Sequence, residues 1–260
     1  MKASAPRTRA TPGAKHLLLA LCLLLPAASI APVDMACPTQ TTVQPIEAPS
    51  LHSALLHGMQ GIIVALGSSS TQGVMASDLA HSYPAELQRM LSEGLPDSHI
   101  AVINRGIGGQ DAAEELARID QDVLAIRPQL VIWQVGANGA LRKTDPVAFR
   151  RMVTEGVRRM QGMGADVILM DNQQTPRLLA MADEEVFDQT LAQVASDTGA
   201  ALFSRRALMR TWQRNGTELA DFIAKDGLHH NDHGYHCVAQ SLAHAILEGL
   251  APPQPLTASR

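Results

Sequence analysis

The sequence predicts an α/β fold in which helices cover both faces of a mainly parallel sheet of five strands. Short apolar runs alternate along the chain with longer segments of helical period, the pattern of repeated strand–helix units. The apolar runs are continuous rather than alternating, as expected for strands that helices bury on both sides. Hydrophobic residues make up 46% and charged residues 18% of the 260 residues, so one packed domain is expected.

Five strands are predicted from the apolar runs, and helices are predicted between them from apolar stripes and from Gly or Pro stop signals. The strands are 62–66, 100–104, 130–135, 166–170 and 200–203, and the helices are 84–95, 112–126, 146–162, 184–198 and 235–250. In sheets of this kind ligands bind beyond the carboxyl ends of the strands. The residues that follow each strand are therefore the candidates for chemistry.

The first predicted strand ends in the turn GSSSTQG, residues 67–73. Such a turn places a serine hydroxyl at the start of a helix, although a plain polar turn explains the same residues. Gln72 and Gly73 stand where a Walker phosphate loop has Gly and Lys, and Thr71 stands where the nucleophile elbow of α/β-hydrolases has its second Gly. Both of these motif assignments therefore fail.

Two further strand ends carry hydrogen-bond donors. The segment NRGIGGQD, residues 104–111, has Asp111 in place of the last Gly of a dinucleotide fingerprint, so that assignment fails. Its glycines indicate either a tight turn or a backbone N–H that approaches an anion. In VGANGALR, residues 135–142, the Asn138 amide is suited to stabilise an oxyanion, and a turn before Gly139 explains it equally well.

The C-terminal segment KDGLHHNDHGYHC, residues 225–237, places Asp226 three residues before His229. In a tight turn this spacing lets a carboxylate hold one ring nitrogen and leaves the other free as a base. The alternative is a metal site, because four histidines are crowded here: His229, His230, His233 and His236. No H-E-x-x-H or paired-Cys spacing supports it, so neither a metal nor a cofactor is expected.

Taken together, the four segments resemble the SGNH (GDSL) hydrolase family of serine esterases and lipases, and they occur in the order of that family. The resemblance implies a flavodoxin-like, three-layer α/β/α fold and hydrolysis of small acyl esters. It assigns Ser69 as the nucleophile of a catalytic triad that Asp226 and His229 complete. It also assigns an oxyanion hole to the N–H groups of Ser69 and Gly109 and to the amide of Asn138.

The chain departs from the family pattern at three positions. The family usually has Asp where Ser68 and Gly139 stand, and Pro where His230 stands. The loss of two carboxylates leaves two alternatives open: a catalytically weak protein that binds an acylated ligand, and a metal-dependent hydrolase that uses the histidines. The expected partner is a small-molecule or carbohydrate-linked acyl ester, and segments 140–145 and 173–183 are expected beside the site.

Residues 1–30 are interpreted as an export signal. Four basic residues and no acidic one precede an apolar run at 17–30, which is shorter than the roughly 20 residues that span a bilayer. An uncleaved membrane anchor is the alternative. Removal of the four basic residues would change the formal net charge from −4 to −8, and neither value favours nucleic acid. The mature protein is expected to be secreted or periplasmic, without a membrane span.

Cys22 lies in the apolar run, which leaves Cys37 and Cys237 as a candidate disulfide pair. The Pro- and Thr-rich residues 31–58 are expected to form a linker, residues 59–250 the hydrolase domain, and residues 251–260 a flexible tail. The oligomeric state is not indicated by the sequence.

Overall fold

The computed structural model describes residue 1, residues 36–38 and residues 44–251. The strands are β1 (Gly61–Gly67), β2 (Ile100–Gly106), β3 (Leu130–Gln134), β4 (Asp166–Met170) and β5 (Ala201–Phe203). They form one sheet in the order β2-β1-β3-β4-β5, and every neighbouring pair is parallel. All five predicted strands are confirmed, and their carboxyl ends lie along one edge of the sheet.

Helices connect the strands, and several of them are short. They are α1 (Pro49–Leu56), α2 (Ser69–Gln72), α3 (Tyr83–Gly94), α4 (Ala112–Ala117), α5 (Ala137–Arg142), α6 (Pro146–Gly162), α7 (Pro176–Leu179), α8 (Glu184–Thr198), α9 (Arg205–Arg214) and α10 (Asp232–Leu250). Short 3₁₀ turns lie at Leu79–His81 and Leu219–Asp221, and a π-helical turn lies at Asp120–Leu124.

Alternate residues of the strands face two separate apolar cores. On one face of the sheet, Ile63 and Ala65 pack among buried side chains of α1, α3, α9 and α10. On the other face, Val64 and Leu66 pack among side chains of α4, α5, α6 and α8. The continuous apolarity of the strands therefore reflects burial on both sides. The predicted three-layer α/β/α fold is confirmed, with the strand order of flavodoxin-like sheets.

Helix α6 begins and ends at the residues that the sequence predicts. The side chain of Asp145 accepts hydrogen bonds from the N–H groups of Val147 and Ala148, and Pro146 occupies the first turn, where its missing N–H costs nothing. The stripe of Phe149, Val153, Val157 and Met160 is buried against the sheet. Cap and stripe are both local signals, which is why this boundary is predictable.

Helix α4 is shorter than the predicted helix 112–126. The helix ends at Ala117, and Arg118 leaves helical geometry with φ −107° and ψ 4°. The Arg118 guanidinium donates to the carbonyl oxygen of Gly67 at the end of β1, at 2.9 Å, and to the carboxylate of Asp122 at 2.6 Å. The break is local, because helical geometry resumes in the π turn Asp120–Leu124, within the predicted range.

The segment expected as a linker, residues 31–58, contains structure that packs on the domain. Helix α1 buries Leu51 and Ala54, and the Asp166 carboxylate accepts hydrogen bonds from the N–H groups of Ser50 and Leu51, at 2.8 and 3.1 Å. A disulfide also joins Cys37 to Cys237 in α10. Helix α1, within the segment expected as a linker, is therefore packed against the sheet of the predicted hydrolase domain.

The predicted export signal lies outside the described residues apart from Met1, and the expected tail lies outside them apart from Ala251. Within the described ranges, no helix combines the length and the apolar character that crossing a bilayer requires.

We expect the Cys37–Cys237 disulfide to stabilise the fold strongly, since its closure links residues 200 positions apart. On the chain-entropy model, a cross-link over a loop of this length contributes about 5 kcal/mol. Replacing both cysteines by alanine should therefore lower the free energy of unfolding, measured in urea without reductant, by up to that amount. A dithiol reductant should lower the stability of the wild type to that of the variant and leave the variant unchanged. Equal urea midpoints for the unreduced wild type and the variant would contradict this expectation.

Candidate active site

A tight turn before α10 joins Asp226 to His229. The Asp226 Oδ1 atom accepts hydrogen bonds from the N–H groups of Leu228 and His229, both at 3.0 Å. The Oδ2 atom lies 2.5 Å from Nδ1 of His229, so this nitrogen carries the proton and donates to the carboxylate. Gly227 adopts φ +67°, a conformation that glycine reaches without strain. The turn therefore leaves Nε2 of His229 as the free acceptor, as the sequence spacing predicts.

Ser69 lies 160 positions before His229 in the sequence but contacts the turn in the folded protein. It is the first residue of α2, directly beyond the carboxyl end of β1. Its Oγ lies 2.8 Å from Nε2 of His229. The structure thus brings Ser69, His229 and Asp226 into one hydrogen-bonded chain. An imidazole held in this way can accept the hydroxyl proton of a serine.

The environment keeps the Asp226 carboxyl ionised. Burial by itself would raise its pKa, but the hydrogen bonds from the backbone and ring of His229 and from the N–H of Leu228 outweigh burial and lower the pKa. A negative Asp226 fixes the proton of His229 on Nδ1. This leaves Nε2 to act as a base toward Ser69.

We call residues 67–73 the serine turn; Gln134, the last residue of β3, supports it, although no motif in the sequence points to this residue. Its Oε1 accepts three hydrogen bonds of 3.2 Å, from the N–H and the hydroxyl of Ser68 and from the hydroxyl of Thr71. Gln134 is completely buried. The signal in the sequence was one amide side chain in an otherwise apolar strand, but its partners lie more than 60 positions away.

We call residues 107–111, which follow β2, the oxyanion loop, after the role that the family resemblance implies for Gly109. Gly108 lies near Ser69, since a Cβ built on it would be 3.9 Å from the Cβ of Ser69. Its N–H donates to Oε1 of Gln72 at 2.8 Å. Gly109 is exposed and has φ +79°. Asn138 in α5 donates through Nδ2 to the carbonyl oxygen of Gln110 at 2.8 Å. The loop that carries Gly109 thus contacts both the serine turn and Asn138.

The segment after β4 holds the Asp226–His229 turn from the other side. Nε2 of Gln173 donates to the carbonyl oxygen of Leu228 at 2.9 Å, and the N–H of Arg177 donates to the carbonyl oxygen of Gly227 at 3.1 Å. The expectation that segment 173–183 lies beside the site is met at these two residues. Gln173 is 2% exposed, so its bond is sheltered from water.

The four histidines that suggested a metal site contact different partners. His229 bonds to Ser69, His230 is buried with Nδ1 3.2 Å from the carbonyl oxygen of Phe222, and His236 lies 3.2 Å from a carboxylate oxygen of Glu86. His233 lies near Cys37 and Cys237, and these three are the single group of metal-type ligands found among the described residues. Because the two sulfur atoms are joined in a disulfide, that group does not offer thiolate ligands.

The model of the non-GDSL lipase-like family matches residues 35–252. The chain belongs to this family. The match includes the serine turn, the oxyanion loop, α5 and the Asp226–His229 turn, and it begins ahead of Cys37. The resemblance to SGNH (GDSL) hydrolases that the four segments indicate is confirmed at the level of the family.

Individual relatives of this non-GDSL lipase-like chain are esterases. It is 27% identical to an arylesterase of Vibrio mimicus over 103 residues, which cover 37% of this chain and 52% of the relative. It is 26% identical to the esterase TesA of Pseudomonas aeruginosa over 133 residues, which cover 51% of this chain and 65% of the relative. The chain thus spans between half and two thirds of the length of these curated relatives.

Its fold is also similar to that of a two-domain esterase active on acetylated mannans, whose structure was determined with mannopentaose. The TM-score is 0.67 at 22% identity, and the match covers 82% of this chain and 58% of that one. At this identity the likeness concerns the fold.

The facing helix leaves little space for a side chain at Gly139, where the family usually has Asp. A Cβ on Gly139 would lie 2.9 Å from Cε1 of Phe187 in α8, and Phe187 is 2% exposed. We expect Gly139→Ala to lower the free energy of unfolding by about 1–3 kcal/mol, since the buried ring has little room to shift. The matched helical control is Gly162→Ala, where a Cβ meets nothing within 4 Å. Urea unfolding should show no loss for the control, and equal effects of the two substitutions would contradict the steric explanation.

The buried His230 should make the protein less stable in mild acid. Burial, reinforced by the charge of Arg205, lowers its pKa from 6.5 to about 3, so the folded ring stays neutral. The unfolded ring gains a proton below about pH 6.5, and its contribution to stability is therefore lost as the pH falls from 6.5 toward 3. The loss should approach about 1.4 kcal/mol per pH unit. His230→Asn should remove this component from urea unfolding curves measured between pH 7 and pH 4. An unchanged pH dependence in the variant would contradict the assignment.

Proposed function

We propose that this protein is an exported serine esterase that hydrolyses small acyl esters. The observation that carries the proposal is the hydrogen-bonded chain from Ser69 Oγ through His229 to Asp226, with distances of 2.8 and 2.5 Å. It stands at the carboxyl ends of parallel strands, where sheets of this type bind ligands. Membership of a lipase-like family and the esterase names of the curated relatives point to the same reaction class.

The reaction begins with attack of Ser69 Oγ on the ester carbonyl carbon. His229 Nε2 takes the hydroxyl proton as the new bond forms, and the Asp226 carboxylate stabilises the resulting imidazolium. When the tetrahedral intermediate collapses, His229 returns the proton to the leaving alcohol and an acyl-Ser69 remains. Water then attacks the acyl group, with His229 again as base, and the acid and free Ser69 are released.

Three donors are proposed to bind the negative oxygen of the tetrahedral intermediate: the N–H of Ser69, the N–H of Gly109 and the side-chain amide of Asn138. The N–H of Ser69 begins α2, so no turn of that helix precedes it to accept its hydrogen bond. Asn138 uses one amide hydrogen on Gln110 and retains a second for a ligand. Removing one donor of this kind typically lowers kcat by about 10²–10³-fold.

The proposed substrates are acyl esters of small molecules or of carbohydrates. One structural neighbour is active on acetylated mannans, and one curated relative is an arylesterase. We place acetyl esters of carbohydrates first, with fatty-acyl esters and lysophospholipids as the second group to be assayed. The reaction requires no cofactor, because nucleophile, base and oxyanion donors all come from the chain.

Export is proposed from the basic and apolar residues 1–30. The disulfide between Cys37 and Cys237 supports it, since such bonds persist in oxidising compartments. We propose that the mature hydrolase domain starts ahead of Cys37 and includes α1, with secretion or a periplasmic location after cleavage.

The test is covalent labelling by a fluorophosphonate probe, together with hydrolysis of 4-nitrophenyl acetate and acetylated oligosaccharides. Ser69→Ala should abolish labelling, and Ser69→Ala or His229→Ala should lower kcat by about 10⁴–10⁶-fold, because either change breaks the nucleophile–base pair. Ser70→Ala, which removes the neighbouring hydroxyl of α2, is the matched control and should still be labelled.

Chelator should leave both labelling and hydrolysis unchanged. A folded wild type that is neither labelled nor active but retains an acylated ligand would favour the binding protein instead. Turnover that chelator abolishes, without labelling, would favour a metal-dependent hydrolase. Either result would overturn the proposed serine mechanism.

A further inference from the structure

The side chain of Arg142, the last residue of α5, reaches back to the oxyanion loop. Its Nη2 donates to the carbonyl oxygen of Gly109 at 2.7 Å. Its Nη1 donates to the carboxylates of Asp111, at 2.8 Å, and Glu114, at 2.9 Å. One guanidinium therefore joins three acceptors that lie 28 to 33 positions away in the sequence.

The two carboxylates are themselves parts of the start of α4. Asp111 caps the helix by accepting hydrogen bonds from the N–H groups of Ala113 and Glu114, while Glu114 accepts the N–H of Asp111. This capping box fixes the end of the oxyanion loop to the helix. The guanidinium adds the Gly109 carbonyl to the same unit and stays charged at every accessible pH.

Asn138 and Arg142 lie four residues apart on α5, so their side chains lie on one face of the helix. They donate to the carbonyl oxygens of two successive residues, Gln110 and Gly109 respectively. Helix α5 therefore holds the oxyanion loop by hydrogen bonds to two neighbouring peptide groups. Asn138 is already a proposed oxyanion donor, whereas the bonds that the Arg142 side chain makes among the described residues go to the loop and to the cap of α4.

Hydrogen bonds, rather than packing, are the main restraint on the backbone at Gly109. A Cβ on Gly109 would meet nothing within 4 Å, and the residues from Ile107 to Gly109 are exposed. Gly109 has φ +79°, in a region that an unrestrained glycine exchanges readily with negative φ. Without the bond from Arg142, the loop would lose the contact that ties the Gly109 carbonyl to the protein.

We propose that Arg142 is a positioning residue: it fixes the peptide group on the carboxyl side of Gly109 through its carbonyl oxygen, and so restricts the backbone rotation that would turn the Gly109 N–H away from the oxyanion during ester hydrolysis. The proposal rests on the proposed function, since it concerns the same site. Arg142 does not touch the reacting atoms. Its contribution is to fix one donor in advance of the reaction, which matters because a donor misplaced by about 1 Å can cost about 10²-fold in rate.

The experiment compares Arg142→Ala with the wild type in 4-nitrophenyl acetate hydrolysis. We expect kcat to fall by about 10–100-fold, with KM changed by less than about threefold, because the loop acts mainly on the transition state. The affinity for an alkyl boronic acid, which forms a tetrahedral adduct on Ser69, should fall by a similar factor. A merely structural role would lower thermal stability without this selective loss of kcat and boronate affinity.

The matched control is Arg150→Ala on α6. Arg150 is similarly exposed, 52% against 49% for Arg142, and also donates to a carboxylate, that of Asp197. It should retain wild-type kinetics. Because half of the Arg142 side chain is exposed, guanidinium ion at tens of millimolar should partly restore kcat in Arg142→Ala and should leave the wild type and Arg150→Ala unchanged.

Arg142→Lys is the second variant, for use if Arg142→Ala does not fold. Lysine keeps the charge but cannot bond all three acceptors at once. The kcat of Arg142→Lys should therefore lie between those of the wild type and Arg142→Ala. If Arg142→Ala does not fold, the kcat of Arg142→Lys should still lie below that of the wild type. If the wild type is active and the kcat values of Arg142→Ala and Arg142→Lys both lie within twofold of the wild-type value, the positioning role of Arg142 is overturned and the proposed function stands. A folded wild type without hydrolysis or probe labelling would overturn the proposed function, and the role of Arg142 with it.

Discussion

The parallel pairing of β1 with β2 on one side and β3 on the other is the constraint on which the site depends. The register aligns Gly67 with Gly106 and with Gln134, so three strand ends stop side by side. The serine turn, the oxyanion loop and α5 each begin within a few residues of these ends. Only the Asp226–His229 turn comes from elsewhere, and it closes the arrangement through a bond between residues 160 positions apart.

The side chain that holds the serine turn is neutral, whereas the charged side chains around Arg142 lie closer to solvent. Gln134 offers an uncharged oxygen to Ser68 and Thr71, which avoids placing a second carboxylate in a fully buried position. Arg142 and its carboxylate partners remain exposed to solvent by 18% to 49%. Gln134 thus supports the serine turn without adding a second carboxylate to that of Asp226, which suits a reaction in which an oxyanion develops at Ser69.

We call residues 36–38 and 44–56 the N-terminal arm, which contacts both α10 and the sheet. The disulfide from Cys37 reaches α10, the same helix that follows His229, and the N–H of Ile46 donates to the carbonyl oxygen of Ala245 in that helix. Helix α1 continues the contact to the sheet through Asp166. The described residues of the arm thus brace the helix that follows the base, although none of them belongs to the site.

The sequence by itself determined the layers and the chemical candidates of this protein. Continuous apolar runs and helical stripes are local patterns, so the five strands and the helices α6 and α8 were predictable. The spacing of Asp226 and His229 predicted their contact, whereas the choice of Ser69 among three adjacent serines came from the resemblance to the SGNH hydrolases. The tertiary structure alone decided the partners of Gln134, Arg142 and Gln173, the packing of α1, and the separate surroundings of the four histidines. The physical reason is that periodicity reports only which face of an element is buried. Hydrogen bonds across tens of residues depend on which strand ends and helices meet, and that is settled when the sheet forms.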